Sequence, residues 1–210
     1  MKLLGITGLI GSGKDTLADY LMNDHGFSRD SFAGPLKDAV AAVFGWDRTL
    51  LEGRTSESRE WREKVDEWWA KKLDMPDLTP RWVLQYWGTE VFRKGFHDNI
   101  WVASLEYKIS KLQRNTVITD VRFVNEIQAI KNQGGVCIRI VRGPEPSWMN
   151  SAVQYMSEPI NSIAYSNAQS VLVRHRIHAS EYSWAAVKFD HIVYNNGSID
   201  ELHSQIKELL

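Results

Sequence analysis

The chain has 210 residues, of which 25 are Lys or Arg and 26 are Asp or Glu, for a formal net charge of −1. That balance excludes a global basic field of the kind that draws a protein to nucleic acid, and the single cysteine, Cys137, excludes an internal disulfide and suits a reducing compartment. No apolar run approaches the roughly 18 residues needed to cross a membrane, and the apolar start is too short for a signal peptide, so a cytoplasmic protein of one compact domain is expected, with no membrane association.

Residues 2–7, KLLGIT, predict a buried strand. The next stretch, GLIGSGKDT, follows the phosphate-loop pattern G-x-x-x-x-G-K through Gly8, Gly13 and Lys14. From Lys14 onward Leu17, Ala18, Leu21 and Met22 recur at helical spacing, so the loop lies between a strand and a helix. Glycines let the backbone curl and point consecutive N–H groups at phosphate oxygens, and the helix start adds its positive dipole end. Lys14 would reach the β- and γ-phosphates.

The standard motif has a hydroxyl after the lysine to meet magnesium, whereas this chain has Asp15, with the hydroxyl one place later at Thr16. A carboxylate is a good hard ligand for magnesium, directly or through water. The plainer reading is an acidic residue that complements the helix dipole.

Further along, a short extended piece near Phe32 precedes a helix from about Leu36 to Phe44, with Gly45 as its stop. Residues 56–73 predict one charged amphipathic helix carrying Trp61, Val65, Trp68, Trp69 and Lys72 on a stripe. Another helix is expected from Pro80 to about Lys94, with Thr79 as N-cap. It would place Arg81, Gln85, Gly88 and Thr89 on one face, a guanidinium, an amide and a gap suited to a planar phosphorylated substrate. The competing reading is an amphipathic helix with exposed polar residues. IWVASLEYKISKL, from Ile100, reads as a further helix. The chain has nine tryptophans, which suit both helix packing and a base-binding cleft.

NTVITDVRF is a second strong strand candidate running into Asp120, the setting of an acid that orients magnesium beside a phosphate loop; many strands also end in Asp at a turn. Arg122 would pair with phosphate or hold Asp120. A helix follows in NEIQAIKNQGG, then a strand in VCIRIVR. Residues 143–180, with prolines at 144, 146 and 159 and many Ser and Asn, read as an irregular insertion or lid. At its end, VRHRIHASE supplies Arg174 and Arg176 as mobile lid arginines for a transferring phosphoryl group. A metal site of His175 and His178 lacks a third ligand. FDHIVYNN predicts a last strand, and Ser198 with Glu201 a capping box for a terminal helix carrying Ile199, Leu202, Ile206 and Leu209. Strands alternating with helices indicate an α/β fold with a mainly parallel sheet flanked by helices, binding ligands at the carboxyl ends of its strands.

The blocks GLIGSGKDT, FAGPLKDAVAAVFG, RWVLQYWGTEVFRKGFHDNIWV, VITDVRFVNE and HASE, in that order, resemble the deoxynucleoside monophosphate kinases of tailed bacteriophages, over residues 1 to about 205. In that family Asp after the loop lysine is the usual residue. The resemblance implies an adenylate-kinase-like P-loop NTPase fold and one kinase domain over residues 1–210. Within it, residues of about 45–100 would bind the monophosphate and about 143–180 would form the lid. It further implies ATP as phosphoryl donor, Mg2+, a deoxynucleoside monophosphate as acceptor, and the host cytoplasm as location. Gly8, Gly11, Ser12, Gly13, Lys14, Asp15 and Thr16 would hold ATP, with Asp15 and Asp120 at the metal. Lys37, Arg81, Gln85, Gly88 and Thr89 would line the monophosphate site, and Asp120 and Arg122 would lie between the two nucleotides. Asn195 and Gly197, after the last strand, would contact adenine through the backbone. Stable nucleic-acid binding is not expected, and a homodimer is left open. The alternatives are another small-molecule kinase of the dephospho-coenzyme A or phosphomevalonate type, or a DNA-processing ATPase or nucleotide switch.

Overall fold

In the computed structural model, which describes residues 1–112 and 114–207, two compact units are formed. The first consists of Met1–Ser31 with the chain from Lys111 onward, and the second of Phe32–Ser110.

The first unit is built on a parallel sheet. The chain enters as β1 (Leu3–Thr7), turns through the glycine loop into α1 (Lys14–His25), and returns as β2 (Ser28–Asp30). All five residues of β1 are buried, because both faces of a parallel sheet are covered. Gly26 ends α1 in the left-handed conformation, its N–H bonded to the Leu21 carbonyl.

The second unit is helical. It opens with α2 (Gly34–Phe44), stopped by Gly45 as expected, and a 3-10 turn at Leu50–Glu52. Where one helix is expected over 56–73, the chain forms two, α3 (Ser56–Glu63) and α4 (Glu67–Leu73). The break has a local cause. Lys64 is extended, and the Asp66 carboxylate caps α4 by accepting from Trp69 N at 3.1 Å while also accepting the Trp46 indole N–H at 2.7 Å. Val65 and Trp68, expected on a buried stripe, are exposed.

Next, α5 (Pro80–Tyr86) starts at the expected Thr79 cap, which accepts from Trp82 N at 3.1 Å. It widens into a π-helical segment, Trp87–Lys94, in place of a continuous α-helix. The widening shifts the register on which an Arg81–Thr89 face depends. Gly88 is buried there: a Cβ would stand 2.9 Å from Leu36 Cδ2, and its carbonyl accepts the Trp101 indole N–H at 3.0 Å. That packing is a structural reason for the glycine. The unit closes with α6 (Ile100–Lys111). Trp46, Trp69, Trp87 and Trp101 pack with Phe44, Leu36, Val40 and Leu51, so these tryptophans serve the core.

Also in this unit, Glu52 lies between Lys37 Nζ at 2.8 Å and Arg48 Nη1 at 2.5 Å. Burial alone would raise its pKa, but the bonds and charges of Lys37 and Arg48 prevail and hold it at about 2, below the ordinary 4.5. A depressed carboxylate contributes stability that is fully present above its unfolded pKa and is lost as pH falls through the folded one. Acid titration should therefore destabilise the protein between pH 4.5 and 2, by up to about 3 kcal/mol from this group. Glu52→Gln should flatten that part of the pH profile in urea unfolding; an unchanged profile would remove Glu52 as its source.

The chain then completes the sheet. β3 (Thr116–Ile118) is followed by α7 (Val124–Asn132) and β4 (Val136–Val141). Residues 143–180, expected to be irregular, contain α8 (Met149–Ser157), α9 (Ile163–Arg174) and the start of α10 (Ala179–Tyr182). The prolines stand in the turns, where the Pro146 and Pro159 carbonyls accept from Met149 N and Ser162 N, each at 2.9 Å. Ser162 caps α9, and Tyr155 stacks on Tyr165 at 4.6 Å. Polar composition here marks caps and an exposed helix face.

β5 (His191–Tyr194) and α11 (Ile199–Lys207) end the described chain. Ser198 and Glu201 form the expected capping box, at 2.9 and 3.2 Å. Leu209, expected on the apolar face of this helix, lies outside the described residues. The strand order is β2-β3-β1-β4-β5 with every pair parallel, the expected P-loop α/β arrangement. Leu4, Ile6, Val117, Ile138, Ile140 and Val193 of the sheet pack with Leu17 and Leu21 of α1 and Leu202 and Ile206 of α11.

Candidate active site

The central strand β1 delivers the loop, and two glycines fix its path. At Gly8, with φ +153°, a Cβ would lie 2.5 Å from the Ile140 carbonyl and 2.7 Å from Ser12 Oγ. At Gly13, with φ +103°, it would lie 2.3 Å from Asn195 Nδ2. A side chain at either position would break the turn. Lys14, the first residue of α1, folds back so that Nζ donates to the Gly8 and Leu9 carbonyls at 2.7 and 2.8 Å. Burial pushes its ammonium below the ordinary lysine range; Arg122 adds to this, while Asp15 and Glu181 oppose it.

A cleft opens beside the loop. It is lined by Gly8 and Lys14, by Thr119, Asp120, Val121 and Arg122 from the turn after β3, and by Ser180, Glu181 and Trp184. The β3–α7 turn is held from below: Thr7 Oγ1 donates to the Val121 carbonyl at 3.2 Å, and the buried Glu126 carboxylate accepts from Arg122 N and Phe123 N at 2.8 and 3.1 Å. Arg122 Nη1 reaches Ser180 Oγ at 3.2 Å and Glu181 Oε1 at 3.3 Å. A second cleft lies beside Gly11 and Ser12, lined also by Arg139, Arg142, Glu145 and Trp184. There the Arg139 guanidinium stacks over the Trp184 ring at 4.8 Å.

The residues expected at the phosphates are thus gathered: Gly8, Gly11, Ser12, Gly13, Lys14, Asp15 and Thr16 along one turn, with Asp120 and Arg122 facing it. Arg174 and Arg176 are exposed and absent from the lining of both clefts; Ser180 and Glu181 stand in the first. Asn195, expected to meet adenine through its backbone, has its N–H bonded to the Val141 carbonyl at 2.8 Å. Its side chain donates to the Ser12 carbonyl at 2.8 Å, so it braces the loop from β5. Gly197 makes room for the Glu201 carboxylate of the capping box.

In the helical unit, Arg81 Nε pairs with Glu63 Oε1 at 3.2 Å, Lys37 pairs with Glu52, and Gln85 is exposed. Arg62 lies near Arg81 and Arg59; burial first, then these like charges, lower its pKa. This concentration of guanidinium groups was not read from the sequence, because α3 and α5 meet only in the folded unit. Two other residues also escaped sequence reasoning: Glu126, the last residue of VITDVRFVNE, and Arg29 on β2. The Arg29 guanidinium contacts Asp15 Oδ1 and donates to Thr119 Oγ1 from Nη2 at 2.8 Å and from Nε at 3.1 Å.

The site fits a nucleotide phosphate chain. Ser12 Oγ is buried without a partner inside the loop, and Lys14 is held at the cleft beside it. Asp15, in the first turn of α1, and Asp120, in the cleft lining, are hard oxygen donors of the kind Mg2+ takes one or two at a time together with substrate phosphates. Cys137 is no part of this chemistry. Burial, and then Asp190, push its thiol up to about 12, which keeps it protonated and inert.

A parallel sheet, a glycine loop at the end of its central strand, a lysine opening the next helix and an acid facing it together define a P-loop phosphotransferase. No protein-family model matches the chain. A protein of Acanthamoeba polyphaga mimivirus named as a deoxynucleotide monophosphate kinase is 32% identical over 98% of this chain and 94% of its own length. The deoxynucleoside-5'-monophosphate kinase of Escherichia phage T5 is 28% identical over 61% of this chain and 71% of its own length. The deoxynucleotide monophosphate kinase of Enterobacteria phage T4 is 44% identical over 45 residues, 21% of this chain and 19% of its own. The chain belongs to the deoxynucleotide monophosphate kinase family. Among solved structures, the dephospho-CoA kinase of Campylobacter jejuni aligns over 100% of this chain and 98% of its own at 16% identity and a TM-score of 0.45, a distance at which it distinguishes no activity. Among the described residues no helix is long and apolar enough to cross a membrane.

Proposed function

We propose that this protein transfers the γ-phosphoryl group of ATP to a deoxynucleoside monophosphate, giving the diphosphate. The observation that supports this most is the Lys14 ammonium on a glycine loop, at a cleft shared with Asp120 and Arg122, in a chain of this kinase family. Mg2+ bound with ATP would neutralise charge on the phosphates and orient them.

The chain's own residues then do three things. The loop N–H groups from Gly8 to Thr16, with Lys14, hold and orient the donor phosphates. Asp15 and Asp120 offer carboxylate oxygens to the metal or its waters. Arg122, beside Lys14 in the cleft, supplies the positive charge that a phosphoryl in transit requires, a role expected of Arg174 and Arg176 at the sequence level. The acceptor's ionised phosphate oxygens are nucleophilic without a strong general base, so positioning and charge account for the rate.

The acceptor is assigned to the helical unit, where Lys37, Arg81, Gln85 and Thr89 provide cations and hydrogen-bonding groups for a phosphate and a base, and Arg62 adds charge. The α8–α9 hairpin is the proposed lid, excluding water that would otherwise hydrolyse ATP.

ADP release should be measured with Mg2+ and ATP against dGMP, dTMP, dCMP and dAMP and the matching ribonucleotides. Turnover with at least one deoxynucleotide is expected, and no turnover with any would overturn the proposal. In the same assay Arg81→Ala should raise the KM for the monophosphate roughly 10-fold or more and leave that for ATP within about twofold. A weakened ATP KM with untouched monophosphate kinetics would show that the two sites are assigned wrongly.

A further inference from the structure

Asp15 poses an electrostatic problem. A carboxylate beside a triphosphate is repelled, the more so where protein rather than water surrounds the pair. It helps the donor site only if its charge is countered and its oxygens are aimed. The structure supplies a device for both. The Arg29 side chain is only 13% exposed, whereas that of Asp15 is 64% exposed, and an Arg29 nitrogen contacts one Asp15 oxygen, Oδ1. Asp19, one turn further along α1, lies 3.9 Å from the same guanidinium.

The other partner of Arg29 is more telling. Both Nε and Nη2 donate to Thr119 Oγ1, at 3.1 and 2.8 Å. Thr119 is 7% exposed and directly precedes Asp120 in the chain. The parallel pairing of β2 with β3 brings Arg29 to this point, with Arg29 opposite Val117. One planar guanidinium therefore ties the acid of the phosphate loop to the strand end that carries the second acid. A lysine, lacking the fork, would not hold both partners in this geometry.

We propose, on the reading that the site takes Mg2+ with ATP, that Arg29 is the positioning residue of Asp15. It engages Oδ1, fixes the carboxylate relative to Asp120, and leaves Oδ2 for the metal or its waters. Partners of this kind behind a metal-facing carboxylate change metal affinity by 10- to 100-fold.

The test is an electron-paramagnetic-resonance titration of Mn2+ into the protein saturated with a non-hydrolysable ATP analogue, which reads metal affinity without turnover. Arg29→Met should weaken Mn2+ binding roughly 10- to 100-fold, while metal-free analogue affinity changes by less than about threefold. Asp15→Asn should show the same loss, and the double variant should be no worse than Asp15→Asn alone, because Arg29 acts through Asp15. Mn2+ binding to Arg29→Met as tight as to the parent, or tighter, would overturn the proposal, as would losses that multiply in the double variant. If Arg29→Met does not fold, Thr119→Val leaves the ion pair but removes its anchor, and a severalfold loss is expected; none would equally overturn it. Separately, absence of monophosphate turnover by the parent enzyme would overturn the proposed function, while the titration still decides the role of Arg29.

Discussion

Lys14→Ala should abolish phosphoryl transfer in practice, lowering kcat by roughly 10²- to 10³-fold or more. The lysine is held by two loop carbonyls at 2.7 and 2.8 Å and is half-buried, so its charge acts where water screens it little. The same burial makes it a poor contributor to stability. A lysine whose folded pKa is depressed binds fewer protons when folded than when unfolded, so its unfavourable term is present below the folded pKa and relieved as pH rises through it. Lys14→Ala should accordingly fall within about 1 kcal/mol of the parent in urea unfolding at pH 7. A variant that was inactive because it had unfolded would refute this account. In the parent, the alkaline loss of activity should begin below lysine's ordinary 10.5, and Glu181→Gln, which removes a charge that raises the Lys14 pKa, should move it lower still.

The largest effect on stability is expected at Trp184, which is 2% exposed, lies under the Arg139 guanidinium, meets Phe189 edge-on at 6.3 Å and lines both clefts beside the loop. Trp184→Ala removes the largest fully buried side chain of the described core. It should cost about 3–5 kcal/mol in urea unfolding and also weaken ATP binding, since the walls of both clefts lose their common ring. Trp184→Phe should recover part of the stability, because a smaller aromatic still fills space under Arg139. A loss below about 1 kcal/mol for the alanine variant would mean that the site collapses around the gap, so that Trp184 is not the keystone of this wall.

Elements whose cause is local were readable in advance. The apolar runs LLGIT and VCIRIV become buried parallel strands, because both faces of such a sheet exclude polar side chains. Thr79, Gly45 and the Ser198–Glu201 pair mark helix ends, because capping chemistry acts over three or four residues. Failures arose where local signals competed. Residues 56–73 have a helical stripe, yet Asp66 can either lie inside a helix or cap one, and the Trp46 indole decides for the cap. The π-helical turn at Trp87–Lys94 leaves no mark in periodicity, because Gly88 is set by Leu36 and Trp101, which arrive from other helices. In residues 143–180, Ser, Asn and Pro suggest irregularity, whereas they end and cap helices whose buried residues, Met149, Ala152, Ala168 and Leu172, are few.

The sequence by itself determined the nature of the chemistry. Gly8, Gly13 and Lys14 between a strand and a helix specify a phosphate site within a dozen residues, since a backbone curl and a helix start need no distant partner. Tertiary structure alone decided what surrounds it. Asn195 braces the loop from β5, Glu126 holds the turn that bears Asp120, and Arg29 reaches Asp15 and Thr119, the latter 90 positions away in the chain. The physical reason lies in range. A turn or a cap is set by neighbours along the backbone, whereas the partner of a buried charge is set by sheet register, and register follows from which strands bury which faces together.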